Sequence, residues 1–464
     1  MMDPASFYAV VRRDFPAFNQ KCFEILNPGA SYEDNWHLLA IAAALIDMVT
    51  GGLLRLIINM PPRSLKSSTV SVAWVAFLLG LDPSTRIIVT SYSEVLAEKL
   101  SADTKRVMES AFYRATFPNT KLERSTKLLL ETTAGGIRFA TSVGGSVTGL
   151  GGEWIISDDP HNATEAYSAP AREGVKRYFD QTLSSRLDDE ATGKIILVMQ
   201  RLHADDLAGH LLSQGGWRQL KLQAQATEDA TVEIGGGRLH HIKAGDLMHP
   251  RRLPLHVLQD KQRQMGSANY QAQHQQEPVP ATGNMVKREW LCYYDLPPSS
   301  DGGRITLSLD TATKTNPAND YSVCTVFLEK DGRHYLLGLW RDKVDYPALK
   351  RKIIELFQIW RATNLLIEDQ GAGSSLIQEL TGLGVPAVPC KARDSKEARL
   401  SAASSYIEAG LMWLPKDAPW LAEFETELLG FPGARYDDQV DSVSQYFGWA
   451  RDKPRGFFSY EFMY

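Results

Sequence analysis

Two short segments carry the residue types that handle nucleotide phosphates. The first is Met60-Pro61-Pro62-Arg63-Ser64-Leu65-Lys66-Ser67-Ser68, set between an apolar run and a helical pattern. A loop of this kind cradles phosphates with backbone N–H groups and a helix N-terminus, while a Lys reaches the β/γ oxygens and a hydroxyl binds Mg²⁺. Lys66 and Ser67 take those two places, Ser64 and Ser68 flank them, and Arg63 offers a further cation. Met60 and Leu65 stand where G-x-x-x-x-G-K-[ST] has glycine, so the segment alone reads equally as a Pro-Arg turn before a buried helix. The second is Trp154-Ile155-Ile156-Ser157-Asp158-Asp159-Pro160, an apolar strand ending in paired acids. Here Asp158 would hold Mg²⁺ and Asp159 would polarise water, as in a Walker B strand. Each segment has a plain alternative; an NTPase is what accounts for both.

The second half places acids where strands and helices end. Asp310 follows ITLSL, Glu368 and Asp369 follow LLI, and Asp437, Asp438 and Asp441 open a helix. Three carboxylates converging from two strands and a late helix can hold two divalent ions about 4 Å apart, enough to hydrolyse a phosphodiester. A single acid of this kind is an ordinary strand end or helix cap. The strand register leaves Glu368 and Asp369 open, and Asp437 or Asp441 can share the role of Asp438. His240 and His241 lack metal-ligand spacing and read as surface or structural.

The elements that must position these groups follow from hydrophobic periodicity. Residues 53–60, 86–93, 136–142, 154–157 and 194–201 read as buried strands, with helices over 66–80, from Glu94 behind a Ser93 cap, and near 168–186 and 204–214. Such alternation predicts a doubly wound parallel α/β sheet. From 251 to 302 the chain turns polar, Gln-rich and Pro-containing, which suits a linker. Beyond it come a strand at 304–312, two strands flanking the hairpin signal Asp331-Gly332, a helix over 346–362, a strand at 364–370 and further helices. This predicts a mixed sheet, and a division into residues 1–250, 251–302 and 303–464.

With 464 residues, 44% hydrophobic and 23% charged, the chain is composed like a folded soluble protein, which excludes rods, collagen-like repeats and disordered tails. Lys plus Arg number 50 against 55 Asp plus Glu, a net charge of −5, so no overall basic field announces a nucleic-acid partner. Four scattered cysteines (Cys22, Cys292, Cys324, Cys390) form no C-x-x-C pair and fit a reducing compartment. Neither a signal peptide nor a stretch of ~20 apolar residues is present, so a soluble intracellular protein is expected.

Taken in order, LIINMPPRSLKSS, GGSVTGLGGEWIISDDP, VMQRLHADDLAGHLL, YQAQHQQEPVP, LSLDTA with NDYSV, IEDQGAGSSLIQEL and YDDQVDSVSQY resemble the large subunit of the terminase of tailed bacteriophages, a P-loop ATPase joined to an RNase H-like nuclease. The resemblance implies a motor that hydrolyses ATP with Mg²⁺ to drive double-stranded viral DNA into a procapsid, and a nuclease that cuts concatemers with two Mg²⁺ or Mn²⁺ ions. It assigns Arg63, Ser64, Lys66, Ser67, Ser68 and Asp158 to nucleotide and metal, Asp159 and Arg63 to hydrolysis, and Asp310, Glu368 and Asp438 to the nuclease triad. Met199-Gln200-Arg201 corresponds to a segment coupling nucleotide state to DNA movement, Asp320 to an auxiliary acid, and Trp36 to a residue near adenine. Arg138 would be a finger acting on a neighbouring subunit, its plain alternative being an exposed strand arginine. Implied partners are a small terminase subunit, a portal, and sister copies in a ring, acting in the host cytoplasm without a membrane. The aromatic content of the terminal KPRGFFSYEFMY motivates docking on the portal, its plain alternative being a frayed end. The rival readings are a host helicase or repair nuclease, and a structural subunit with a dead P-loop.

Overall fold

The structure, a computed structural model, describes residues 4–50, 52–147, 149–278, 285–311, 321–391, 394–434 and 436–452. Asp320 and the stretch 453–464 lie outside the described residues. The chain divides into two compact units, Met1–Asp260 with Ala268–Pro280, and Lys261–Ser267 with Ala281–Tyr464.

In the first unit, β-branched and leucine-rich runs form β1 (Arg55–Asn59), β2 (Arg86–Ser91), β3 (Leu122–Ser125), β4 (Leu129–Thr132), β5 (Ile137–Ser142), β6 (Trp154–Asp158), β7 (Lys194–Met199) and β8 (Arg218–Lys221). Their order in one sheet is β3-β4-β5-β2-β6-β7-β1-β8. From β5 to β8 all pairings are parallel. At the other edge β3, β4 and β5 run antiparallel, a departure from the all-parallel expectation that lets short, exposed β3 close the sheet. Alternate residues serve the two faces: Leu56 and Ile58 join Phe15, Leu45 and Trp74 on one, Ile57, Ile195 and Leu197 join Val175, Leu183 and Leu211 on the other. A sheet buried on both faces explains why its central strands are continuously apolar. A separate hairpin pairs β9 (Ala230–Glu233) with β10 (Leu239–Ile242).

Among the described residues the second unit has seven strands: β11 (Cys292–Tyr294), β12 (Arg304–Asp310), β13 (Ser322–Lys330), β14 (Arg333–Asp342), β15 (Asn364–Glu368), β16 (Ala387–Cys390) and β17 (Met412–Pro415). Their order is β11-β17-β14-β13-β12-β15-β16. β12, β13 and β14 are antiparallel neighbours, while β15 lies parallel to β12. Asp331 and Gly332 both adopt positive φ, 52° and 73°, the conformation a two-residue type I′ hairpin demands. The mixed sheet is as expected, with helix Asp438–Asp452 packed across it: Ser308 Oγ donates to the Ser442 carbonyl at 2.8 Å.

The polar stretch expected to be a linker is not one throughout. Helices Leu255–Met265 and Ser267–Gln273 occupy it, and His274, Gln275 and Gln276 are buried in the first unit. Ala224 N–H donates to the His274 carbonyl at 2.8 Å and Gln225 N–H to Gln275 Oε1 at 3.2 Å. Hydrogen bonds satisfy these buried polar residues alongside buried Leu258, Tyr270 and Ala272, so the polar composition gave no sign of burial.

Candidate active sites

The loop after β1 and the end of β6 meet. Ser67 Oγ donates to Asp158 Oδ1 at 2.9 Å, and Ser71 Oγ, one helical turn on, donates to Oδ2 at 2.5 Å. Lys66 Nζ lies 2.8 Å from Asp159 Oδ2. Asp158 is fully buried; that burial, with Asp159 beside it, pushes its carboxyl up to about 6, against the pull of Ser71, Lys66 and Ser67. A buried anion held by two hydroxyls, with no cation within ion-pair distance among the described residues, is a fitting partner for Mg²⁺, and every donor is a hard oxygen.

The missing glycines have a structural explanation. Leu65 adopts φ +65° and Arg63 φ +59°, the left-handed conformation for which glycine is the usual residue. Instead of a glycine's freedom, the loop has apolar anchors: Met60 belongs to the core below and Leu65 packs against it. Arg63 is left exposed at the turn, Ser64 is buried, and the helix entered at Lys66 runs as a π-helix over Ser68–Trp74 before becoming α-helical over Val75–Leu81. Irregular helices of this kind gather at functional sites.

Because β7 stands between β1 and β6, Met199-Gln200-Arg201 emerges between the two nucleotide elements. Gln200 N–H donates to Asp159 Oδ1 at 3.1 Å, and Asp159 itself has φ +44°. Arg201 pairs with fully buried Asp206 at 3.0 Å, while its N–H donates to Gln276 Oε1 at 2.9 Å. Asp206 and Gln276 lie within segments that carry the resemblance, but nothing in the sequence singled out either residue. Trp36 stacks on His240, ring centroids 4.6 Å apart, at a cavity of about 530 Å³ that Lys221, Gln223 and Met248 also line. His240 is thus part of a cavity wall and not merely surface.

Arg138 is corrected on both counts. It is fully buried on β5, beneath helix Glu94–Met108, so it is neither an exposed strand arginine nor a finger able to reach another subunit. The registers put it on the same sheet face as Asp158. Its guanidinium nitrogens have no hydrogen-bond partner among the described residues, and burial presses it down to about 9 against the attraction of Asp158.

In the second unit, Asp310 and Glu368 end the parallel neighbours β12 and β15, and Leu309 pairs with Ile367 one residue earlier. The two acids therefore share one face, toward helix Asp438–Asp452. Glu368 lies 3.7 Å from Arg399, whereas the Asp369 carboxylate accepts from Ser374 Oγ at 2.8 Å and serves the following helix. Gly373 keeps that helix against the strand end: a Cβ there would lie 2.1 Å from the Glu368 carbonyl oxygen. Asp310 is driven well above the carboxylate range by burial, then by Asp441, Glu368 and Asp438 in that order. Asp438 is pushed up to about 6 by burial, Glu427 and Asp437, with Arg341 3.9 Å away. Asp441, nearly buried, accepts from Arg399 Nη2 at 2.9 Å and pairs with Lys396 at 2.7 Å. Lys396 and Arg399 are site residues that sequence reading missed. Among the described residues, no three His, Cys, Asp or Glu side chains are drawn together tightly enough to hold an ion. The donors are nonetheless all carboxylates, as Mg²⁺ and Mn²⁺ require. No helix among the described residues is long and apolar enough to cross a membrane.

Residues 307–447 match the family described as "Terminase RNaseH-like domain". No curated protein sequence matches the chain. The large terminase of a thermophilic bacteriophage, solved with ADP, superposes with TM-score 0.53 over 94% of this chain and 100% of its own, at 10% identity. The same phage protein solved with ATP-γ-S gives TM-score 0.52 over 93% and 98%, also at 10% identity. At that identity the likeness speaks for the fold alone. The large terminase of bacteriophage HK97 covers 94% of this chain and 99% of its own at 12% identity, but its TM-score of 0.41 is too low to argue from. Residues 307–447 thus carry a terminase RNase H-like domain, and the chain as a whole has the fold of a phage large terminase.

Proposed function

We propose that this chain is an ATP-driven viral DNA-packaging motor that also cuts the DNA it packages. The observation that carries the first half is the double contact across β7, Ser67 to Asp158 and Lys66 to Asp159. Lys66 is paired with Asp159, and a bound triphosphate would compete for the ammonium. Asp159, so released, can orient water, and its hold on the Gln200 N–H turns that exchange into a pull on the coupling segment. Arg63, exposed at the loop tip, would meet the transferring phosphoryl group. Ser67 and Asp158 would hold Mg²⁺, which would supply charge neutralisation to the phosphates. Ser64 in the loop and Ser68 in the helix that follows would add donors, and the Trp36–His240 cavity is wide enough to take the base.

In the second unit Asp310 and Glu368 would be the paired ligands. The third position is shared by Asp438 and Asp441 on one helix face, with Asp441 favoured because it acts more strongly on Asp310. Two Mg²⁺ or Mn²⁺ ions would supply water activation and leaving-group stabilisation to phosphodiester hydrolysis. The corresponding partners are double-stranded viral DNA, a small terminase subunit, a portal and sister copies in a ring, met in the host cytoplasm. ATPase assays test the motor: Lys66→Ala and Asp158→Asn should each lose at least about a hundredfold in rate, and wild-type turnover no faster than these variants would exclude it. Metal-dependent DNA cleavage should vanish in Asp310→Ala while ATPase survives; persistent cleavage would overturn the site.

A further inference from the structure

Helix Lys396–Glu408 begins with Lys396 behind a Ser395 cap whose Oγ accepts the Ala398 N–H at 3.3 Å. Lys396 and Arg399 thus place two cations in the first turn, the end of a helix where the macrodipole disfavours positive charge. The helix does not account for them; the acids opposite do. Lys396 Nζ lies 2.7 Å from Asp437 Oδ2 and 2.7 Å from Asp441 Oδ2. Arg399 grips the other oxygen of Asp441, and reaches toward Glu368. No ion pair reaches Asp310 among the described residues. The site's resident positive charge is therefore lopsided: it sits on the helix acids, and the acids at the ends of β12 and β15 are left for an ion.

We propose that Lys396 is a built-in counter-cation that competes with one divalent ion for Asp441. Resting on the nuclease reading above, this makes the two ions load unequally. An ion at Asp310 and Glu368 contends only with Arg399, 3.7 Å from Glu368; an ion that needs Asp441 must take its carboxylate from an ammonium already bridging two acids. Arg399, on the opposite oxygen, keeps Asp441 aimed while the exchange occurs. Lys396 is a positioning residue under this scheme: it holds the ion-free site together and sets the free-ion concentration at which the site becomes complete. The side chain is 44% exposed, so it can swing to solvent when displaced.

The test is Mn²⁺ binding to the full chain without nucleotide, by electron paramagnetic resonance titration, with melting temperatures read in EDTA and in saturating Mn²⁺. Lys396→Met should tighten the weaker Kd by about tenfold, the size of one half-buried ion pair, and leave the tighter Kd within about twofold. It should also melt lower than wild type in EDTA and recover the difference in Mn²⁺. Lys396→Arg should retain the weak step, and Lys396→Gln should repeat the Met result with a polar side chain. A weaker Kd that is unchanged or poorer in both the Met and Gln variants overturns the role given to Lys396. Wild-type and Asp310→Ala isotherms that coincide would instead remove the ion site itself, and with it the nuclease reading.

Discussion

Leu65 offers the sharpest test of the phosphate loop, because its backbone is strained where its side chain is well packed. At φ +65° a non-glycine residue pays about 1–2 kcal/mol relative to its ordinary conformation. Against this, the half-buried Leu side chain packs on the core that holds Phe15, Trp74 and Met60, contributing about 1 kcal/mol, part of the 1.5–3 kcal/mol for complete burial. Leu65→Ala keeps the strain and loses most of the packing. Leu65→Gly loses the packing but releases the strain, less the ~0.5–1 kcal/mol that glycine's freer unfolded chain costs. The glycine variant should therefore be more stable than the alanine variant by about 1 kcal/mol and come close to wild type. In a unit of this size that is ~2–4 °C of melting temperature, well resolved by calorimetry with and without ATP. ATP turnover in Leu65→Gly should stay within about threefold of wild type, since the cradle is backbone N–H and no step uses the Leu side chain. Leu65→Gly melting at or below Leu65→Ala would show that residue 65 is not left-handed, and the account of the degenerate loop would fall with it.

Three further outcomes follow from the geometry. Replacing buried Arg138 by Met, similar in length and apolar, should leave the melting temperature unchanged or raised; because Asp158 loses an attracting cation, the acid limb of ATP turnover should move to higher pH, and an unmoved limb would count against their interaction. Gly373→Ala should cut DNA cleavage at least about tenfold without touching ATPase, because its Cβ would collide with the Glu368 carbonyl at 2.1 Å; cleavage at the wild-type rate would refute the close approach. Acidification in EDTA from pH 7.5 to 5.5 should move the two units oppositely, as two calorimetric transitions. His37 and His161, both pressed by burial to about 4, lose stability as pH falls below the unfolded value near 6.5, a cost that outweighs what Asp158 gains below its raised value of about 6 by roughly 2 kcal/mol. In the second unit Asp310, Asp438 and Asp441 are all raised, so their folded forms take up protons first and gain stability as pH falls; transitions moving together would contradict these assignments.

What the sequence disclosed and what it withheld divide along a physical line. Strand runs such as LIIN and WIISD are legible because burial on both sheet faces leaves no polar alternation, and Asp158, Asp310 and Glu368 are legible because each interrupts such a run at its end. Burial that is not apolar leaves no such mark. Arg138 alternates along β5 like any exposed residue, and only helix Glu94–Met108, brought over it by the fold, makes it interior. Gln276 looks like linker until the Arg201 N–H claims its carbonyl. Lys396 and Arg399 look like a solvated helix start, and their meaning lies in acids some forty residues later. The glycine positions of the phosphate loop show the same limit from the other side. A pattern search asks which residue makes left-handed backbone easy, and misses a loop whose apolar side chains, Met60 and Leu65, hold it there against strain. Pattern and chemistry coincide where a residue acts alone; where a residue acts through a partner distant in sequence, only the tertiary contact assigns it.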